Sequence, residues 1–213
     1  MTPFKFEKIQ INHSTIHICS FDYFLPKLYL KYLSKEEIIR FNQFKSENRQ
    51  REFVASRILK HRIFGFQYIE YSENGAPYIE NHGFISISHC KGAVGLACNK
   101  KHQVGLDLEI ERPNIQKLGA KFLSEKERVI FDIKNDKVLT KIWSAKECLY
   151  KLAGRKKIIF KTELLIDMNQ DSEWIGTIIN QDHVLSVKID TFELNEVIIT
   201  LNKEDVEKNS RYI

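Results

Sequence analysis

Two carboxylates lie two residues apart in the segment Gly105-Leu-Asp107-Leu-Glu109. If this segment is a β-strand, its side chains alternate between the two faces, so Asp107 and Glu109 share one face about 7 Å apart. Such neighbours repel each other unless a cation or a basic group compensates them, and carboxylate oxygens suit Mg²⁺. The alternative interpretation is a solvated strand face, because Asp-x-Glu alone is a common pattern.

A third carboxylate, Glu147, lies in a segment whose apolar residues recur at helical spacing. Glu147 and Lys151 are four residues apart and are therefore neighbours on a helix surface. Glu147 could join Asp107 and Glu109 in a magnesium site with room for phosphate oxygens and water. The alternative is an ordinary surface ion pair between Glu147 and Lys151.

A small polar loop follows the alternating apolar residues of segment 84–88 and carries Ser88 and His89. Both side chains can donate hydrogen bonds to an anion, although a single histidine is also commonly a structural hydrogen-bonding residue. The other histidines share no spacing, and the four cysteines show no metal-ligand spacing, so we predict reduced thiols and no zinc site.

Apolar periodicity indicates the elements that must position these residues. Helices are predicted over residues 35–44, 46–64, 124–133 and 136–152, two of them opened by capping-box pairs, Ser34 with Glu37 and Ser124 with Glu127. Short strands are predicted over residues 4–11, 16–19, 68–71, 77–80, 84–88, 93–98, 104–109, 163–167, 174–179, 184–189 and 196–201, with a frayed tail from Asn202.

The two halves of the chain resemble each other. Segment 31–41 is similar to segment 121–131, and three positions of the following helices correspond at one constant offset: Arg57 with Lys146, Arg62 with Lys151 and Gly65 with Gly154. The sequence therefore predicts an α+β fold of two similar halves, residues 1–103 and 104–213, with a ligand cleft at their pseudo-twofold interface. The alternative is that both helices merely use the same amphipathic pattern.

Composition restricts the function classes. A chain of 213 residues that is 43% hydrophobic can bury a core, and its net charge of +5 favours an anionic partner. The basic excess is too dispersed for a nucleic-acid stripe, so we expect no nucleic-acid partner. No apolar run approaches a membrane span and the start does not resemble a signal peptide, so we expect no membrane association and a cytoplasmic protein.

The three motifs, taken in order, resemble those of the phosphopantetheinyl transferase superfamily. The resemblance covers roughly residues 40–168 and rests on the Ser-His loop, the Gly-Leu-Asp-Leu-Glu strand and the segment Trp-Ser-Ala-Lys-Glu-Cys-Leu-Tyr-Lys. It is closer to the larger surfactin-synthetase type than to the short holo-carrier-protein synthase type. It implies a pseudodimeric monomer whose active site lies between two similar α+β halves.

The resemblance also implies an activity. A magnesium-dependent enzyme of this kind transfers phosphopantetheine from coenzyme A to a serine of an apo acyl or peptidyl carrier protein and releases 3′,5′-ADP. The segment 114–122, with Ile115, Leu118 and Phe122 at helical spacing, is a possible carrier-docking surface, and core packing is the alternative. Two rivals stay open: a catalytically inactive relative that binds coenzyme A or a carrier, and a nucleic-acid-binding protein suggested only by the basic charge.

Roles follow from the resemblance residue by residue. The implied magnesium ligands are Asp107, Glu109 and Glu147. The residues implied to contact coenzyme A are Arg51, Arg57, Ser88, His89, Lys146 and Lys151. The implied catalytic residues are Glu147, Lys151 and Glu127, the last as proton acceptor, with the capping box as its alternative role.

The chain departs from the family pattern at two positions. Ala76 stands where a lysine is usual, so one phosphate contact is expected to be missing or moved. The loop Gly154-Arg155-Lys156-Lys157 is more basic than in many members, and its charge could replace that contact.

Overall fold

The N-terminal half of the computed structural model is a six-stranded sheet covered by two helices. The structure describes residues 2–155, 157–180, 183–203 and 207–209, the last range by its backbone only. The elements in order are β1 (Phe4–Ile11), β2 (Ser14–Phe21), a 3₁₀ helix (Pro26–Tyr32), α1 (Lys35–Gln43), α2 (Glu47–Phe64), β3 (Glu70–Tyr71), β4 (Pro77–Tyr78), β5 (Phe84–Cys90) and β6 (Ala93–Asn99).

The C-terminal half repeats this plan with a second sheet and a second pair of helices. Its elements are β7 (Leu106–Ile110), a 3₁₀ helix (Ile115–Leu118), α3 (Gly119–Phe122), α4 (Glu125–Ile130), α5 (Asp136–Leu152), β8 (Leu164–Met168), β9 (Trp174–Ile179), β10 (Val184–Leu194), β11 (Val197–Asn202) and β12 (Glu207–Asn209).

The two sheets have the same topology. The first has the order β1-β2-β6-β5-β4-β3 and the second the order β7-β11-β10-β9-β8. Apart from the added edge strand β1, the short helix α3 and strand β12, each half consists of one strand, two α-helices and four antiparallel strands, the last of which pairs with the first strand. The predicted α+β class with two similar halves is confirmed. The boundary between residues 103 and 104 stays a prediction.

The equivalent helices are fixed in the same way in both halves. Ser34 and Ser124 each accept a hydrogen bond from a backbone N–H three residues on, and the glutamates there, Glu37 and Glu127, bond back to the serine N–H groups. Both predicted capping boxes are thus present. Each glutamate is also buried against a cation of the next long helix, Arg57 in the first half and Lys146 in the second.

The halves pack closely where β5 lies beside β7. Ser86 Oγ accepts a hydrogen bond from the Leu106 N–H (3.0 Å), and Ser88 Oγ accepts one from the Leu108 N–H (3.1 Å). Gly95 allows this approach, because a Cβ there would lie 2.8 Å from a Leu108 methyl carbon. Apolar residues of β2, β6, β7 and β11 complete the contact as one buried cluster. The interface therefore fixes the strand that carries Asp107 and Glu109.

Several local predictions differ from the structure; for example, the helix predicted over residues 124–133 is α4, Glu125–Ile130. Strand β10 continues beyond residue 189 to Leu194. Segment 114–122 forms a 3₁₀ helix and a short α-helix in which Ile115 and Phe122 are buried, so of Ile115, Leu118 and Phe122 only Leu118 is exposed. Fraying is predicted from Asn202, but Asn202 is buried at the end of β11 and β12 pairs with β10. Residues 204–206 and 210–213 of the tail lie outside the described residues. No helix among the described residues is long and apolar enough to cross a membrane.

Candidate active site

Lys151, Asp107 and Ser88 form a hydrogen-bonded group across the interface between the halves. Lys151 Nζ lies 3.0 Å from Asp107 Oδ1 and 3.0 Å from Ser88 Oγ, and the Ser88 hydroxyl donates to the same Asp107 oxygen (2.9 Å). All three side chains are largely buried, Lys151 being 10% exposed. Lys151 therefore pairs with Asp107 and not, as a surface partner, with Glu147.

Glu109 lies next to Asp107 on the same strand face, as the alternation of β7 predicts. The Arg112 guanidinium donates two hydrogen bonds to the Glu109 carboxylate, one from Nε to Oε2 (3.0 Å) and one from a terminal nitrogen to Oε1. Trp143 Nε1 also donates to Oε1 (3.2 Å). Burial raises the pKa of Glu109, and the charge of Asp107 raises it further, against the lowering effect of Arg112 and Trp143.

Glu147 brings the third carboxylate to this place from α5. Burial raises its pKa, and the charges of Asp107 and Glu109 raise it further, whereas Lys151 and Arg112 lower it. No side chain within the part of the chain that the structure describes hydrogen-bonds to the Glu147 carboxylate. The tertiary structure thus brings together the three carboxylates that the sequence singled out.

The donor set suits a hard divalent cation. Asp107 Oδ2 is buried and has no hydrogen-bond partner among the described residues, and its like-charged neighbours Glu109 and Glu147 have raised pKa values. The described residues hold no group of three or more Asp, Glu, His or Cys side chains already arranged around a metal position. Mg²⁺ needs only one or two carboxylates when substrate phosphates and water supply its other ligands, so the residues present fit it.

An arginine-lined cavity opens beside the carboxylates. It has about 650 Å³ of empty space, including the open solvent at its mouth. Four guanidinium groups line it, and Glu52 is the one carboxylate among its lining residues in the described chain; the arginines are Arg40, Arg49, Arg57 and Arg155. This excess of positive charge fits a phosphorylated ligand.

His89 connects the cavity to the carboxylate group. It follows Ser88 on β5, contacts the Arg49 guanidinium through Nε2 and lies 3.4 Å from Glu52. Burial, together with the charges of Arg49 and Lys151, lowers the pKa of His89 to about 4. A neutral imidazole at pH 7 can accept a hydrogen bond from Arg49 while its other nitrogen faces a ligand.

Two predicted site residues lie away from the cleft. Lys146 is fully buried and directs Nζ to Glu127 (2.8 Å), Phe122 O (2.5 Å) and Phe160 O (2.9 Å). Glu127 also accepts from the Ile166 N–H (2.7 Å), besides its capping bond. In this arrangement Lys146 Nζ has three protein acceptors, and the Glu127 carboxylate takes part in the capping box. The roles predicted for both residues at the active site stay predictions.

The two arginines predicted from α2 have different surroundings. Arg51 bonds to the Phe24 carbonyl, Asn48 and Glu47 and does not line the cavity. Arg57 reaches the cavity wall but is 2% exposed, held by Glu37 (2.6 Å), Ser56 and Tyr71. Arg57 and Lys146 are thus equivalent in the two halves, yet among the described residues each bonds only within its own half.

Comparison with known proteins shows a similarity over part of the chain. Residues 103–201 match the family model described as the 4′-phosphopantetheinyl transferase superfamily. The matched range contains Asp107, Glu109, Glu147 and Lys151, whereas Ser88 and His89 precede it.

A curated protein is similar to part of the chain. It is the 4′-phosphopantetheinyl transferase HetI of Nostoc sp. (strain PCC 7120 / SAG 25.82 / UTEX 2576), 28% identical over 141 residues. The aligned region is 57% of this chain and 60% of the relative, so the chain spans less than two thirds of that relative's length.

Sequence reasoning missed two cavity arginines, Arg40 and Arg49, and named Arg155 only as part of a basic loop that could replace a phosphate contact. Arg49, Glu52 and Ser56 follow one another at helical spacing in α2, and this polar stripe could have indicated which side of the helix faces the cavity. Arg40 and Arg155 lie on other elements, and no spacing in the sequence links them to α2.

Proposed function

We propose that this chain is a 4′-phosphopantetheinyl transferase of the larger, two-half type, acting as a monomer on coenzyme A and an apo acyl or peptidyl carrier protein. The observation that carries the proposal is the adjacency of two features. Three carboxylates and Lys151 meet at the interface between the halves, and the arginine-lined cavity opens directly beside them.

Different parts of coenzyme A bind at the cavity and at the carboxylate group. The arginines and His89 bind the nucleotide part, while the diphosphate lies toward Lys151 and the carboxylates. Asp107, Glu109 and Glu147 would hold Mg²⁺, which supplies charge stabilisation to the diphosphate. The Glu109 carboxylate is already hydrogen-bonded to Arg112, whereas Asp107 Oδ2 has no hydrogen-bond partner among the described residues. Asp107 and Glu147 therefore offer more available oxygens to the ion than Glu109 does.

The reaction is a phosphoryl-group transfer. The carrier serine oxygen forms a bond to the β-phosphorus of coenzyme A, and the bond from that phosphorus to the oxygen bridging to the nucleotide breaks, which releases 3′,5′-ADP. Lys151 offsets the negative charge that grows on the leaving group. The serine proton leaves to water at the cleft.

Mass spectrometry tests the proposal. The protein is incubated with Mg²⁺, coenzyme A and a panel of apo carrier proteins, and the expected result is the phosphopantetheine mass on the serine of at least one carrier, dependent on Mg²⁺. A carrier panel that stays unmodified while the protein binds coenzyme A would instead favour the inactive binding relative. A salt-dependent shift of DNA with no coenzyme A binding would favour the nucleic-acid alternative.

A further inference from the structure

Arg155 is the residue through which the C-terminal half reaches the arginine-lined cavity. Every other lining residue in the described chain comes from α1, α2, β3–β6 or the connections between them. Arg155 follows directly after α5, the helix that carries Glu147 and Lys151. One element therefore contributes to both the cavity and the carboxylate group.

The backbone of Arg155 has an unusual conformation for a residue with a side chain. Its φ is +57°, just after Gly154 at +77°, and this left-handed region favours glycine. The Arg155 N–H donates to the Tyr150 carbonyl (3.1 Å), and the Tyr150 hydroxyl donates to the Arg155 carbonyl (3.4 Å). Because a non-glycine residue held in this region is strained, a functional reason for the side chain should be sought.

The charge around Arg155 supplies that reason. Neither Arg155 nor Arg40 has a carboxylate partner within the described residues, whereas Arg49 pairs with Glu52 and Arg57 with Glu37. Two uncompensated guanidinium groups from opposite halves thus face one cavity. A phosphomonoester, with two negative charges and three acceptor oxygens, is the ligand group that matches them.

We infer that Arg155 binds the ribose phosphomonoester of the nucleotide and closes the cavity from the C-terminal half. The inference rests on the proposed function, in which the diphosphate of coenzyme A lies at the carboxylate group. The third phosphate, the ribose phosphomonoester, then lies in the cavity. Occupancy of the cavity then fixes the end of α5 and, with it, Glu147 and Lys151. Arg155 is a specificity-determining residue for the phosphorylated nucleotide.

Calorimetric binding of two nucleotides tests the inference. The ligands are 3′,5′-ADP and 5′-ADP, which carries its second phosphate in a 5′-diphosphate and has no 3′-phosphomonoester. The variants are Arg155→Gly, whose glycine suits the backbone conformation, and Lys157→Ala, which removes an exposed charge of the same loop outside the cavity lining. Arg155→Gly should weaken 3′,5′-ADP binding about 10- to 100-fold, leave 5′-ADP within about twofold, and keep or raise the melting temperature.

Each outcome decides one statement. An unchanged 3′,5′-ADP affinity in Arg155→Gly overturns the inference, as does equal weakening of both nucleotides or the same loss in Lys157→Ala. Partial recovery in Arg155→Lys supports it, because an ammonium keeps the charge but not the planar fork. If the wild-type protein binds neither nucleotide, the proposed function itself fails; if it prefers 3′,5′-ADP and Arg155→Gly keeps that preference, the inference alone fails.

Discussion

The buried ion pair between Glu127 and Lys146 separates a structural role from a catalytic one. Glu127 is 1% exposed and Lys146 is 0% exposed, and their charged atoms are 2.8 Å apart. Glu127→Gln keeps a side-chain acceptor for the Ile166 N–H but removes the negative charge, which leaves a buried ammonium without its partner. We therefore expect a loss of stability with little direct effect on chemistry.

The size of the loss follows from the geometry. Removing one partner of a buried ion pair lowers the free energy of unfolding by about 3–5 kcal/mol. We expect the lower end, about 3 kcal/mol, because glutamine keeps one hydrogen bond and Lys146 can release its proton. Burial already lowers the pKa of Lys146. For a chain of this length about 2–4 °C of melting temperature corresponds to 1 kcal/mol, so the expected shift is about 6–12 °C.

The equivalent pair of the other half provides a matched control. Glu37→Gln removes the partner of the buried Arg57, and an arginine cannot release its proton, so its stability loss should be at least as large. Melting temperature is measured by calorimetry, and kcat for carrier modification well below both melting temperatures. A Glu127→Gln protein with an unchanged melting temperature and a kcat at least about 100-fold lower would refute the structural role and restore Glu127 as proton acceptor.

Three further predictions concern the carboxylate group. Asp107→Ala should nearly abolish transfer and weaken Mn²⁺ binding measured by electron paramagnetic resonance, and near-normal turnover at saturating Mg²⁺ would contradict the metal role. Lys151→Ala should lower kcat about 100-fold, and Lys151→Arg should be partly active. Lys151→Ala should also lower the melting temperature because Asp107 loses its partner. An unchanged kcat in Lys151→Ala would show that Lys151 is not a catalytic residue. The pKa of Glu147 is raised in the folded protein, so its ionisation destabilises the fold as pH rises. Glu147→Gln should therefore raise the melting temperature of the metal-free protein at pH 8 but not near pH 4.5. A gain that is independent of pH would contradict this.

The sequence alone predicted those parts of the fold that depend on local pattern. β1, α5 and β9 have the predicted bounds, because apolar periodicity and capping residues act within a few residues of each other along the chain. The internal repeat predicted two similar halves, and the common strand order of the two sheets bears this out. The alternation of β7 also predicted that Asp107 and Glu109 share a face, since the period of a strand is fixed.

Only the tertiary structure decided which charged side chains are available to a ligand. Lys146 and Glu127 have the residue types of a site, but packing of α5 against α4 and β8 buries them against each other. Arg155 and Arg40 meet in one cavity although they are far apart in the chain, because the interface brings the end of α5 to the first half. The local sequence around a charged residue does not show whether its side chain is ion-paired or available to a ligand. Its partner depends on packing between residues that are distant in the chain.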